Sequence, residues 1–83
     1  IGRVGDDSFG DILRAGLIAN SVDVEHVLVT SDCSSGVALI GVEATGANSI
    51  TVVAGANARL TPHDVYLRAD VIASADALIV QLE

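Results

Sequence analysis

Apolar residues recur along the chain in several distinct patterns, and each pattern predicts a different element. A helix is predicted over residues 8–20, because apolar residues recur there at helical spacing. Residues 26–30, HVLVT, are rich in β-branched side chains and predict a strand. Residues 36–43 and 49–54 predict the two arms of a hairpin, because a small, polar, glycine-bearing segment connects them.

Both ends of the chain also carry apolar segments. Residues 1–4 predict the end of a strand that leads into a turn at 5–7. A second helix is predicted to begin at Thr61, with Pro62 in its first position, and to end around 70–75. Residues 77–82, ALIVQL, are almost continuously apolar, which is typical of a parallel strand buried on both faces.

The carboxylate Glu83 follows this last apolar run directly. In α/β proteins, ligands bind outside the carboxyl ends of parallel strands, so Glu83 is predicted to lie at a ligand-binding edge. The alternative is that Glu83 only begins a solvated loop. A doubly covered strand needs neighbours on both sides, so we expect a piece of a larger α/β domain. The alternative is a small, complete module of marginal stability.

The hairpin is predicted to carry apolar side chains on both faces. Ala38, Ile40 and Val42 share one face of the first arm, and Leu39 lies on the other. A hairpin does not expose two apolar faces to water without a partner. One face is therefore expected to cover a ligand or a domain face, and the other to meet another element or a second subunit. Equally, both faces could belong to the core of one domain.

Charge and composition exclude several classes of partner. The chain has 11 acidic and 4 basic residues and a formal net charge of -7, which opposes binding to nucleic acid and to anionic membrane surfaces. These 83 residues contain no run of 18 apolar residues, so no transmembrane helix is expected in them, and their first residues do not show the pattern of a signal segment. Cys33 is the only cysteine, which excludes an intrachain disulfide and fits a reducing compartment such as the cytoplasm.

Few other residues suggest chemistry. His26 and His63 have no cysteine or glutamate cluster at metal-ligand spacing, so no metal site is predicted. Asp6 and Asp7 are interpreted as partners of a helix N-terminus. Cys33 lacks a positioned base, so it is not predicted to be a nucleophile.

Four blocks of sequence together resemble the phosphofructokinase B family of sugar kinases, in its ribokinase-like branch. They are VGDDSFG from Val4, SSGVALIGVE from Ser34, AGANARLTP from Ala54, and QLE at the end of the chain. The resemblance covers essentially all 83 residues and implies a fragment of the N-terminal half of a single carbohydrate kinase domain. It implies a Rossmann-like α/β fold, a parallel sheet with flanking helices, that carries a small β-sheet lid. The lid strands are expected at about 26–30, 36–43 and 49–54.

The resemblance also implies an activity, which is ATP-dependent phosphorylation of the 5-hydroxyl of D-ribose. Glu83 matches the family's sugar-binding glutamate, and Ala38, Ile40 and Val52 match apolar lid positions that pack against the sugar. Val52 stands where a larger aliphatic residue can occur, and Gly41 thins the strand, so the packing of the lid is in doubt at these two positions. The alternatives are a fructokinase-like or adenosine kinase-like member, or a lid-type dimerisation module without activity of its own.

The remaining machinery is expected outside these 83 residues. The chain contains no P-loop pattern. The resemblance implies that ATP, Mg²⁺ and a monovalent cation such as K⁺ bind beyond it, with the catalytic residues, so the 83 residues alone are expected to be inactive. It further implies that the full-length protein forms a homodimer through the lid.

Overall fold

The computed structural model describes residues 1–81 and has the α/β architecture predicted from the sequence. The elements follow in chain order as β1 (Gly2–Gly5), α1 (Ser8–Ala19), β2 (Val27–Thr30), β3 (Val37–Val42), β4 (Asn48–Val53), a 3₁₀ helix (Gly55–Arg59), α2 (Pro62–Tyr66) and α3 (Ala69–Ala73). They form two separate two-stranded sheets, β1 with β2 and β3 with β4.

The first sheet is a βαβ unit. β1 and β2 run parallel, with Gly2 paired to Val27 and Gly5 paired to Thr30, and α1 connects them. Because the strands are parallel, their carboxyl ends lie at the same edge, next to the N-terminus of α1. Val4 of β1 is buried.

The second sheet is the predicted hairpin. β3 and β4 are antiparallel and pair in register from Val37 with Val53 to Val42 with Asn48. Gly46 allows the tight connection, because it adopts a φ of +87° that side chains disfavour. The backbone N–H of Glu43 donates to the carbonyl of Ala47 at 2.8 Å and closes the turn.

One predicted strand belongs to a different sheet. Residues 26–30 were expected among the lid strands, but Val27–Thr30 pairs with β1 and has no ladder with the hairpin. A β-branched composition predicts that a strand forms and does not specify its partner. Here the helix between β1 and β2 supplies the crossover that parallel pairing requires, so the assignment of 26–30 to the lid sheet is corrected.

The apolar run at the end of the chain does not form the predicted strand in its described part. Residues 77–81 have no regular secondary structure, and Ile79 is 96% exposed. Ile79 and Gln81 line a cleft of about 350 Å³ together with Ile1, Gly2 and Arg3. An apolar run becomes a strand only when a neighbour accepts its backbone hydrogen bonds, and no such pairing with β1 is present. Leu82 and Glu83 lie outside the described residues.

Most large hydrophobic side chains are exposed. Among residues 1–81, only Val4 and Ala56 are fully buried hydrophobic residues, while Phe9 and Ile12 on α1 are more than half exposed. Apolar area of this extent normally packs against a partner surface. No described helix has the length and hydropathy that a membrane span requires.

Candidate functional site

One face of the hairpin forms an exposed aliphatic surface. Ala38 is paired directly with Val52, and Ile40 lies two residues further along the same face of β3. Ile40 is 61% exposed and Val52 is 70% exposed. The structure therefore brings together the three apolar residues that the sequence singled out, Ala38, Ile40 and Val52. We call the surface formed by these residues and Ile50 the hairpin inner face.

The fourth member, Ile50, was not among the predicted site residues. Ile50 pairs directly with Ile40 and shares a face with Val52. Strand parity places residues two apart on the same face, so the alternation of β4 already contained this signal. Ile50 adds a second exposed isoleucine to the inner face, opposite Ile40.

The opposite face is also apolar, and we call it the hairpin outer face. It carries Val37, Leu39, Thr51 and Val53, and Leu39 is paired with Thr51. Leu39 is 63% exposed. On this face Gly41 is paired with Ser49, and a β-carbon at Gly41 would lie 3.3 Å from the Ser49 hydroxyl oxygen. Near the tip of the hairpin the outer face therefore carries only small residues, Gly41 and Ser49.

A partly buried polar cluster connects the residues just before β3, which we call the root of the hairpin, to the βαβ unit. Asp7 is the N-cap of α1 and its Oδ1 accepts from the backbone N–H of Gly10 at 2.8 Å. The same carboxylate accepts from the backbone N–H of Ser35 at 2.8 Å and from the Ser35 hydroxyl at 2.7 Å. The Ser35 hydroxyl in turn accepts from the backbone N–H of Gly5 at 3.0 Å. These bonds connect the end of β1, the start of α1 and the residues before β3.

These hydrogen bonds stabilise the ionised form of Asp7. The Ser35 hydroxyl, the Ser35 backbone N–H and the Gly10 backbone N–H lower the pKa of Asp7 below its ordinary value. Asp7 is therefore a carboxylate at neutral pH, and its oxygens are occupied by donors of this chain. This agrees with the interpretation of Asp7 as a helix cap and leaves it poorly suited to bind a cation.

The segment that follows β4 also contacts the root of the hairpin. The backbone N–H of Ala56 donates to the carbonyl of Ser34 at 2.8 Å. Gly55 has a φ of +52°, and a β-carbon there would lie 2.4 Å from the Ser34 carbonyl oxygen. A β-carbon at Gly5 would likewise lie 2.3 Å from the Ser35 nitrogen. The glycines thus permit a backbone approach that no other residue could make.

A second capping carboxylate, Asp64, is buried and binds Arg3 of β1. Arg3 donates to both oxygens of Asp64, at 2.6 Å and 3.2 Å, and also to the Thr30 hydroxyl at 3.1 Å. Thr61 and Asp64 form a reciprocal capping box at the start of α2. The Arg3 guanidinium and the Thr61 donors hold the pKa of Asp64 well below its ordinary value. This pair fixes α2 against the βαβ unit and does not contact the hairpin through its hydrogen bonds.

The described residues offer no set of groups suited to a metal ion or a nucleotide phosphate. No three histidine, cysteine, aspartate or glutamate side chains cluster within 1–81. Asp7 and Asp64, the two carboxylates with shifted pKa values, are both engaged by protein donors. These residues do not fit Mg²⁺ or ATP, so no step of phosphoryl transfer is assigned to them. The predicted carboxylate ligand, Glu83, lies outside the described residues.

The fold, a βαβ unit that carries an antiparallel hairpin with an aliphatic face, makes this chain an α/β protein. Comparison with known proteins identifies its family. Residues 1–81 match the model of the pfkB family carbohydrate kinases. The chain belongs to this family, as its motifs implied.

Individual relatives are consistent with that assignment. The chain is 41% identical to the ribokinase of Mus musculus over 81 residues, which are 98% of this chain and 25% of the relative. It is 36% identical to the deoxyribokinase of Salmonella typhi over 81 residues, which are 98% of this chain and 26% of the relative. The solved structure of the ribokinase from Giardia lamblia superposes with a TM-score of 0.75 at 31% identity, and the match covers 88% of this chain and 22% of that one. The chain thus spans about a quarter of the length of these relatives.

Proposed function

We propose that this chain is part of an ATP-dependent sugar kinase that phosphorylates D-ribose at its 5-hydroxyl. In this proposal the hairpin acts as a lid whose inner face covers the sugar, and Glu83 binds sugar hydroxyls at the edge of the parallel sheet. The family membership supports a carbohydrate kinase, and relatives that include a ribokinase favour ribose. The 83 residues supply part of the sugar site and none of the phosphoryl-transfer machinery.

The observation that carries the proposal is the shared face of Ala38, Ile40 and Val52. The carbon face of a sugar ring is apolar, so an aliphatic surface can cover it and exclude water while polar groups elsewhere bind the hydroxyls. Ile40 and Val52 are mostly exposed, so the described residues leave the inner face largely uncovered. It is therefore available to a ligand in the way that a lid requires.

The cofactors of this activity are assigned to other parts of the full-length protein. ATP and Mg²⁺, with a monovalent cation such as K⁺, are proposed to bind outside these 83 residues, because the described part contains no suitable donor cluster. When bound, ATP supplies the phosphoryl group that the sugar accepts. The proposed compartment is the cytoplasm, which agrees with a single cysteine that has no disulfide partner in this chain.

A sugar panel tests the proposal. The full-length protein is assayed for ATP-dependent phosphorylation of ribose, 2-deoxyribose, fructose and adenosine at equal concentrations. The highest kcat/KM is expected for ribose. A preference for 2-deoxyribose would instead place the protein with the deoxyribokinase that it resembles, and a preference for fructose or adenosine would contradict the proposed substrate.

The second candidate function is dimerisation through the hairpin outer face. Leu39 and Val53 are exposed on that face, and a hairpin with two apolar faces needs two covers. If one cover is the sugar, we propose that the other is the hairpin of a second copy, which gives a homodimer. The two functions are compatible because they use opposite faces of one hairpin.

A further inference from the structure

The Asp7 carboxylate, which binds the root of the hairpin, does more than cap a helix. The Asp7 side chain accepts three hydrogen bonds from the described residues, and only the one from Gly10 belongs to α1. The other two come from Ser35, which is 28 residues away in the sequence and lies two residues before β3. An ordinary N-cap is satisfied by the N–H groups of its own helix. The extra bonds therefore connect α1 with the hairpin.

Burial makes this connection specific. Ser35 is 1% exposed, so its hydroxyl and N–H have no water to replace a lost partner. The hydroxyl donates to Asp7 and accepts from Gly5, which fixes its orientation from both sides. Loss of either partner would leave a buried polar group unsatisfied, which costs more than an exposed hydrogen bond is worth.

We propose that Asp7 and Ser35 are positioning residues that set the angle of the hairpin above the sugar-binding edge. The expected effect on the sugar KM rests on the proposed function. The expected effect on the hairpin itself rests only on the hydrogen bonds between Asp7 and Ser35. Asp7 and Ser35 contact no substrate. They act through β3, which begins at Val37 and carries Ala38 and Ile40 on the inner face.

Asp7→Asn separates the two roles of the carboxylate. An asparagine that keeps its oxygen toward the Gly10 N–H still caps α1, but it turns its NH₂ group toward the Ser35 N–H, where two donors meet. The hairpin root loses a bond while the helix keeps its cap. In the full-length protein we expect the KM for sugar to rise about fivefold or more, since about 1 kcal/mol corresponds to roughly this factor. The KM for ATP is expected to stay within about twofold of wild type.

Asp64→Asn is the matched control. It makes the same change at a second capping aspartate, whose donors are Arg3 and Thr61. It should destabilise the protein, because a buried ion pair with Arg3 is lost, and it should leave the sugar KM within about twofold of wild type. Equal increases of the sugar KM in both variants would show a general loss of stability and would overturn the positioning role.

Hydrogen exchange gives a readout that does not depend on the substrate. In the full-length protein without sugar, Asp7→Asn should accelerate amide exchange in β3 and β4 by about tenfold relative to wild type, while exchange in α1 changes less. Unchanged exchange in the hairpin would overturn the proposal even if the protein phosphorylates ribose. Accelerated exchange would support the anchor even if the preferred sugar is another one.

Ser35→Ala is the second variant. It removes the hydroxyl that bridges Asp7 and Gly5 but keeps the Ser35 N–H bond to Asp7. It should give the same selective pattern, a raised sugar KM and faster hairpin exchange. If neither Asp7→Asn nor Ser35→Ala gives a folded protein by circular dichroism, the pair is required for folding itself, and the positioning role is overturned.

Discussion

Ile40 and Ile50 face each other directly across the two strands of the hairpin, and their side chains are 61% and 55% exposed. Directly opposed side chains on one face of an antiparallel pair lie close enough to contact each other. The two isoleucines therefore form one aliphatic surface that residues 1–81 leave mostly exposed. Such a surface contributes to stability or to binding only when a ligand or another part of the protein removes it from water.

The inner face leads to a first prediction. Ile40→Asp in the full-length protein should raise the KM for sugar by about tenfold or more, because closing the lid would bury a charge against the apolar side of the ring. The KM for ATP should change much less. The measurement is initial-rate kinetics with each substrate varied in turn. Normal sugar kinetics in a stable Ile40→Asp protein would show that the inner face does not cover the sugar.

The adjacent residue on the other face gives a second prediction. Leu39→Asp places the same charge on the outer face, where it would be buried between two hairpins without a partner. We expect the dimer to dissociate in sedimentation velocity, while the sugar KM of the remaining protein changes less than in Ile40→Asp. A variant that stays dimeric with wild-type stability would contradict an interface at Leu39. Because the two substitutions are adjacent and identical in chemistry, each controls the other.

The sequence predicted the faces of the hairpin well because a strand alternates sides with a period of two. Ala38, Ile40 and Val52 fall on one face as their positions require, and the pairing of β3 with β4 has no bulge that would reverse them. The start of helix α1 was equally predictable, since Asp7 marks its N-cap and the apolar spacing after it marks its apolar side. That side was expected to be buried, but within residues 1–81 it is exposed at Phe9 and Ile12 because no described element packs over it. Local patterns determine these features.

Features that depend on distant partners could not be predicted from local pattern. The strand at 26–30 was predicted, but its partner was not. It pairs with β1 because α1 connects the two strands as a crossover, which the composition of the strand does not indicate. Residues 77–81 are as apolar as a buried strand, yet they lack a neighbour to pair with. The bonds between Asp7 and Ser35 span 28 residues and involve two polar residues that are common in turns, so no spacing rule signals them.

The ion pair between Arg3 and Asp64 gives a third prediction, on acid stability. The pKa of Asp64 in the folded protein lies below its ordinary value of 3.8, so the folded state favours the ionised carboxylate. The resulting stabilisation is fully present above about pH 4 and is lost as the pH falls from there through the lowered folded pKa. Asp64→Asn should therefore lower the thermal midpoint of the full-length protein at pH 7, and the difference from wild type should shrink below about pH 4.

Asp70→Asn is the control for this measurement. Asp70 is an exposed acidic residue in the first turn of α3. Its substitution should change the thermal midpoint little at either pH, because exposed charges contribute little to stability. A difference between Asp64→Asn and wild type that stays constant from pH 7 to pH 3 would show that the ionised carboxylate is not the source of the stabilisation.

A fourth prediction concerns the 83 residues alone. They should show no sugar phosphorylation and no measurable ATP binding by calorimetry, because the described part contains no cluster of metal-binding side chains and the sequence contains no phosphate-binding loop. The full-length protein, measured under the same conditions, is the positive control. A saturable heat of ATP binding to the 83 residues would contradict the placement of the nucleotide site elsewhere.

The last prediction concerns Glu83, which we propose as a sugar ligand from its position after the last apolar run and from the family resemblance. An ionised carboxylate can accept hydrogen bonds from two sugar hydroxyls, and a hydrogen bond to a charged group contributes roughly 1.5–3 kcal/mol. Glu83→Ala in the full-length protein should therefore raise the KM for ribose by about 10- to 100-fold, with a much smaller change for ATP. Glu83→Gln keeps the shape and one acceptor, so its effect should be smaller. Ribose kinetics that are unchanged in Glu83→Ala would show that this carboxylate does not bind the sugar.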